Sequence, residues 1–386
     1  TSSKQQNHLH PAMVSSKSSL PVALILVVTL TDVLPLVSSS RGLVAVPTDG
    51  ALEDSLLMME RFHGWMAKHG KSYAGVEEKL RRFDIFRRNV EFIEAANRDG
   101  RLSYTLGVNQ FADLTHEEFL ATHTSRRVVP SEEMVITTRA GVVVEGANCQ
   151  PAPNAVPRSI NWVNQSKVTP VKNQGKVCGA CWAFSAVATI ESAYAIAKRG
   201  EPPVLSEQEL IDCDTFDRGC TSGEMYNAYF WVLRNGGIAN SSTYPYKETD
   251  GKCERGKLQE HAATIRDYKF VKHNCEEQLM AAVAVRPVAV GFDSNDECFK
   301  FYQAGLYDGM CIKHGEYFGP CSSNDRIHSL AIVGYAGKGG DRVKYWIAKN
   351  SWGEKWGKKG YVWLKKDVDE PEGLCGLAIQ PVYPIV

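Results

Sequence analysis

The chain has 386 residues, room for two or three domains. Its 44 Lys and Arg balance 44 Asp and Glu, so it lacks the basic footprint of a nucleic-acid binder or a membrane-surface protein. Eleven cysteines, none before position 149, point to an oxidising compartment for the C-terminal two thirds, and the odd count predicts one free thiol.

Met13 is read as the initiator, which makes residues 1–12 a non-native leader. Lys17, the apolar run 20–37 and Ser38–Ser40 fit a secretory signal peptide over 13–45. Asp32 and Pro35 interrupt the run and argue against a spanning helix, so no membrane attachment is expected after its removal. Residues 41–54 read as a short linker. From about Leu56 to Leu120 the chain is charged and helical, with Leu80, Phe83, Phe86, Val90 and Ile93 on one face. Glu78, Arg82, Phe86, Asn89, Ile93 and Asn97 recur every three or four residues and share one stripe. By itself this is an amphipathic helix, with Glu78 and Arg82 able to pair. Residues 124–157 lose periodicity, and Pro151, Pro153 and Pro157 mark an exposed, extended segment suited to a domain boundary and a proteolytic cut.

The Ala-rich run from Cys181 is apolar on most sides and predicts a central, buried helix ending at Lys198-Arg199-Gly200. Ser206 to Glu209 reads as a capping box opening a second helix, and Tyr226–Leu233 as a third. Beyond residue 260, strands are expected at 288–290, 330–335, 343–348 and 361–364. The fold class is therefore α+β, with a helical half, a strand-rich half and a cleft between them.

Cys181 enters the buried helix from a Gly-containing loop, where the helix dipole would favour a thiolate. Cys178 and Cys181 could instead form a redox or zinc pair, although no second such pair exists and no βαβ context surrounds it. His328 opens an apolar strand, which fixes its backbone; His314, in a polar loop, is the rival base. Asn350 at a strand end is ordinarily a turn residue, Gln174 a surface amide, and Trp352, Trp356 and Trp363 core aromatics.

The segment Gln174 to Ser185, with Cys178-Gly179-Ala180-Cys181-Trp182, resembles the active-site segment of papain-like cysteine proteases. The helix stripe matches the prodomain motif of their cathepsin-L-like branch, and Gly107-Val108-Asn109-Gln110-Phe111-Ala112-Asp113 its companion motif. The resemblance covers about residues 56–386. It implies a helical left half and an antiparallel β-barrel-like right half, preceded by an inhibitory helical prodomain over 56–125. A linker, 126–154, would be removed on maturation, leaving a catalytic domain from 155 to 386. It implies Cys181 as nucleophile, His328 as base, Asn350 as its orienting partner and Gln174 as an oxyanion donor. Trp352 would shield the His–Asn bond and Trp356 would line the leaving-group side of the cleft. Trp363 is assigned to the core.

Cys220-Thr221-Ser222-Gly223 stands where the family has Cys-Asn-Gly-Gly, so Ser222 and Gly223 would meet substrate backbone. Glu224 and Met225, with Gly291 and Gln380, would shape the specificity pocket. The implied bridges are Cys178–Cys220, Cys213–Cys253 and Cys321–Cys375; Cys149, Cys275, Cys298 and Cys311 have no counterpart, and residues 310–317 read as an insertion. No cofactor or metal is implied. Expected partners are protein or peptide substrates, the chain's own prodomain lying across the site in the non-productive direction, and cystatin-type inhibitors; a monomer is expected. Asn164 and Asn240 open glycosylation sequons. Acid pH would loosen the prodomain through carboxylates such as Asp113. The residues flanking the base, Ile327 and Ser329, depart from the family pattern, as does Ser222. They support the alternative of a catalytically impaired relative that binds peptides or a partner; a released prodomain inhibiting other proteases is a further alternative.

Overall fold

The structure is a computed structural model that describes residues 49–126, 149, 156–319, 321 and 326–386. The expected leader and signal peptide, and most of the expected linker, lie outside these residues. The chain divides into two units, Thr1–Leu57 and Met58–Val386. The described part of the first is the opening of helix α1 (Asp49–His69), which begins before Leu56, within what composition alone marked as linker. All that follows concerns the second unit.

The expected pro-region is built on α1 and α2 (Val76–Asp99), then strand β1 (Tyr104–Leu106), α3 (His116–His123) and strand β2 (Ser125–Arg126). On α2 the stripe forms as the spacing requires: Phe86, Asn89, Val90 and Ile93 are buried. Leu80 is not; it stays exposed because α1 covers only the later turns of that face. The polar members of the stripe cross to the next segment. Arg82 pairs with Glu78 at 2.7 Å and Glu118 at 2.6 Å. Asn89 Nδ2 donates to the carbonyls of Ala112 and Leu114, and Asn97 exchanges two bonds with Leu106. A buried amide such as Asn89 must find partners, and with the exposed Asn97 it fixes where the companion motif runs.

After β3 (Ser159–Asn161), which joins the main sheet, the helical half of the expected catalytic domain comprises α4 (Cys181–Ala197), α5 (Glu207–Cys213), α6 (Met225–Asn235), β4 (Ile238–Ala239) and β5 (His261–Ala263). All but three residues of α4 are buried, as an apolar, all-round helix demands. Ser206 caps α5 by accepting from Glu209 N–H. The reciprocal half of the expected capping box does not form, because the Glu209 carboxylate accepts instead from Ala239 N–H. The strand-rich half adds β6 (Asp267–Phe270), α7 (Glu276–Val283), β7 (Val288–Phe292), α8 (Glu297–Lys300), β8 (Tyr302–Tyr307), β9 (Cys311–Lys313), β10 (Glu316–Phe318), β11 (Arg326–Ala336), β12 (Tyr345–Lys349), β13 (Tyr361–Lys365) and β14 (Val382–Ile385).

The main sheet runs β1-β8-β13-β12-β11-β7-β14-β6, with β2 and β3 also on β11. It is open rather than a closed barrel, and its β8–β13 pair is parallel where the rest is antiparallel. Two of its strands come from the pro-region. At one edge β1 pairs with β8, and Gly305 is required there: at φ +102°, a Cβ would sit 2.6 Å from Tyr104 Cα. In the middle, β2 pairs with the start of β11, Ser125 opposite Ile327. The expected insertion is a hairpin, β9–β10. Trp363 is half-buried on the outer face of β13, stacked on Tyr345; strand alternation gives Val362 and Leu364 the core instead. Five disulfides form: the three implied bridges, plus Cys149–Cys275 and Cys298–Cys311. Cys181 is the free cysteine.

Candidate active site

Helix α4 starts without a side-chain cap, since Ala180 has none to offer. Its first N–H groups therefore point, unpaired within the helix, to the place where Cys181 stands. The loop that delivers Cys181 is held by the Cys178–Cys220 bridge and by Gly179 N–H donating to the Cys220 carbonyl at 2.8 Å. Across the cleft, His328 lies early in β11, opposite Phe292 of β7. Its Nε2 meets Asn350 Oδ1 at 2.7 Å, which fixes the ring as Nε2–H donor. Trp352 stacks on the imidazole with 4.3 Å between centroids, and is itself buried, so water is kept from that bond. Asn350 is set by its own N–H donating to the Gly360 carbonyl and by Oδ1 accepting from Ser351 N–H.

Gln174 is buried between the two walls. Its N–H donates to the Ser351 carbonyl, its Oε1 accepts from Ser351 Oγ, and its Nε2 donates to the Cys178 carbonyl at 3.0 Å. A primary amide has a second N–H, which remains for a ligand. Gly223 backs onto Trp182, where a Cβ would come within 2.4 Å of the ring. Ser222 is buried, and its carbonyl accepts from Arg218 N–H. Glu224 and Met225 are buried at the start of α6. Trp356 is enclosed, edge-on to Trp352 with 5.0 Å between centroids, and donates to the Lys300 carbonyl.

Residues 123–125 lie against both the thiol and the imidazole. Ser125 Oγ lies 3.3 Å from Cys181 Sγ and donates to the Gly179 carbonyl at 2.9 Å. The His123 carbonyl faces the His328 ring, whose Nδ1 has no hydrogen-bond partner. His123 is caged by Phe111, Phe119 and Trp352. Thr124 and Ser125 are thus buried, against the expectation that residues from 124 onward are exposed; the cleft covers them. No residue type in this stretch announces that role. The signal lies only in its place just beyond α3, whose Phe119 packs on Trp352.

The cover sets the electrostatics. Burial pushes the Cys181 thiol up, against hydrogen bonding from Ser125, Ser329 and the helix start at Trp182. Burial likewise holds His328 down to about 4 although Asn350 favours its charged form, and His123 down to about 3. Asp113 bonds Lys71 at 2.7 Å and Tyr73 at 2.9 Å, so this carboxylate ties the pro-region to itself. Sequence reading also missed Asp217, which accepts from Glu224 N–H and Asn227 Nδ2 beneath the expected specificity pocket. Burial and the neighbouring Asp214 push it up to about 9. Asp296, Cys298 and Cys311 lie close together, but the two cysteines are bonded to each other and offer no metal ligand.

Residues 156–385 match the profile of the "Papain family cysteine protease" and residues 62–119 that of the "Cathepsin propeptide inhibitor domain (I29)". A rice (Oryza sativa subsp. indica) "Senescence-specific cysteine protease SAG39" is 42% identical over 86% of this chain and 92% of its own length. The Arabidopsis thaliana "Senescence-specific cysteine protease SAG12" is 41% identical over 87% and 92%. Among solved structures, a recombinant stem bromelain precursor aligns at TM-score 0.72 and 38% identity, covering 86% of this chain and 99% of its own. The proform of the ragweed pollen allergen Amb a 11 aligns at 0.71 and 31%, covering 88% and 98%.

Proposed function

Because the chain belongs to the papain family of cysteine proteases and carries its propeptide inhibitor domain, we propose that it is an endopeptidase zymogen whose Cys181, His328, Asn350 and Gln174 perform the cleavage. The observation that carries the assignment is the 2.7 Å His328–Asn350 bond under Trp352, which leaves Nδ1 for proton transfer, with the His123 carbonyl facing that ring and Ser125 Oγ 3.3 Å from Cys181 Sγ. Once that backbone is gone, Nδ1 takes the Cys181 proton. The thiolate attacks the substrate carbonyl carbon, and the oxyanion accepts from Gln174 Nε2 and Cys181 N–H. His328 Nδ1 protonates the leaving amine as the C–N bond breaks, leaving a thioester. Water then attacks with His328 as base, releasing the acid and restoring the thiolate. Ser222 and Gly223 would flank substrate backbone, and Glu224 and Met225 its side-chain pocket.

Maturation is assigned to a cut near residues 155–157 after acid loosens residues 56–125. His123 and His328 support the acid trigger. Burial holds both below their ordinary 6.5, and opening that exposes them would let them bind more protons between pH 6.5 and about 4. The closed state is therefore favoured above pH 6.5 and loses its advantage as pH falls through that window. The bridges support a route through the secretory pathway to the cell exterior, vacuole or lysosome, and exposed Asn164 is open to glycosylation. The enzyme is taken as monomeric, with cystatin-type inhibitors as partners of the mature cleft.

The test is labelling and turnover. After incubation at pH 5 with dithiothreitol, wild type should bind a thiol-directed epoxide at Cys181 and cleave a fluorogenic peptide. Cys181→Ala should do neither while keeping its fold. An activated wild type that takes no label and turns over no peptide would instead establish the impaired-relative reading.

A further inference from the structure

We infer that a single cut near Ala155 does not free the pro-region, because the Cys149–Cys275 bridge holds its C-terminal end to the catalytic domain. This rests on the zymogen reading above. Cys149 is exposed and lies upstream of the expected cut; Cys275 is buried at the start of α7, inside the catalytic domain. Helix α7 is a firm anchor: Glu276 accepts from Trp346 Nε1 at 2.7 Å, and its apolar residues pack into the same core as the sheet. Downstream of the cut, the catalytic chain is anchored separately. The Pro157 carbonyl accepts from Tyr335 Oη and the Val156 carbonyl from Lys338 Nζ. The cysteine arithmetic agrees. With four other bridges formed and Cys181 free, Cys149 and Cys275 are the two that remain for each other.

Hydrolysis between 150 and 157 consumes one water and breaks one C–N bond; it leaves the S–S bond intact. The fragment ending near residue 154 stays attached, with β2 still able to reach the cleft. A tethered inhibitor faces its site at an effective concentration on the order of millimolar, so it continues to block. Release needs one further event. Either a second cut falls between residues 126 and 149, or a dithiol reductant supplies two electrons and two protons, becoming a disulfide while Cys149 and Cys275 become thiols. Activation is then a two-step process in which the first cut alone is silent.

The experiment uses the full-length Cys181→Ala precursor, cut at pH 5 by a small amount of an added papain-type protease, so the outcome does not depend on this chain's own activity. Intact mass and N-terminal sequencing are read with and without dithiothreitol. The expected result is that every unreduced catalytic product keeps Cys149. A product starting at 150–157 carries a linked peptide that leaves on reduction; one starting upstream of 149 keeps its mass. A Cys149→Ser/Cys275→Ser precursor should release the pro-region at the first cut without reductant. The inference is overturned by an unreduced product that begins at or after residue 150, carries no linked peptide and has a free thiol at Cys275. It is also overturned if both precursors shed the pro-region equally without reductant. Failure of the protease reading would show separately, as wild type still inert toward peptide after reduction has released the pro-region, while these masses stand.

Discussion

The two halves of the catalytic domain meet the pro-region on different terms. Beside the sheet there is one continuous core: Phe86, Phe111 and Phe119 of the pro-region are buried in the same cluster as Phe299, Trp352 and Trp356. The cluster built on α4, α5 and α6 contains no pro-region residue among those described. There the contact is polar and local, Ser125 against Gly179 and Cys181. The shared apolar packing therefore lies on the sheet half, and the helical half meets only the segment over Cys181. Inhibitor affinity and catalytic-domain stability should accordingly be separable by mutation.

Phe119→Ala tests this most severely. It removes a fully buried ring shared with Trp352, at about 3–5 kcal/mol. The fraction of precursor whose Cys181 takes an epoxide label at pH 7 should rise on the order of a hundredfold or more. An unchanged labelling rate would mean that the shared core does not hold the cover. The counterpart is Ile190→Ala, inside the helical cluster. It should lower the unfolding free energy of the Cys181→Ala precursor by about 2–5 kcal/mol in denaturant, with labelling at pH 7 unchanged. A large rise in labelling would show the halves to be coupled.

The pH prediction is smaller. His123→Phe removes a group held at about 3. At pH 5 the wild-type cover has lost about 2 kcal/mol on account of this histidine, and the variant should not. Opening between pH 6.5 and 4 should become shallower, with His328 supplying the remaining slope; an identical pH profile would remove His123 from the trigger. The smallest effect belongs to the α5 cap. Ser206→Ala should cost about 1 kcal/mol in unfolding, local to the helical half and silent in cover opening.

The contrast between halves was only partly readable in the chain. The α2 stripe and its companion motif gave the right partners because helical spacing aims Asn89 and Asn97 at the same segment, and the buried Asn89 must reach a carbonyl there. The centrality of α4 followed from an apolar residue in every direction. Strand-level detail was weaker. Trp363 was assigned inward by its chemistry, while the register of β13 turned it outward.

Residue type and spacing determined the parts of this protein: a buried helix carrying a cysteine, a histidine opening an apolar strand, a turn with Asn350, and a helical pro-region. Those are local properties, set within one or two turns of chain. Tertiary structure decided what no local pattern encodes. It laid His123–Ser125 over the thiol, placed two pro-region strands in the catalytic sheet and joined Cys149 to Cys275 across 126 positions. Such contacts depend on which surfaces remain to be covered once every segment has folded, and that is a property of the whole chain.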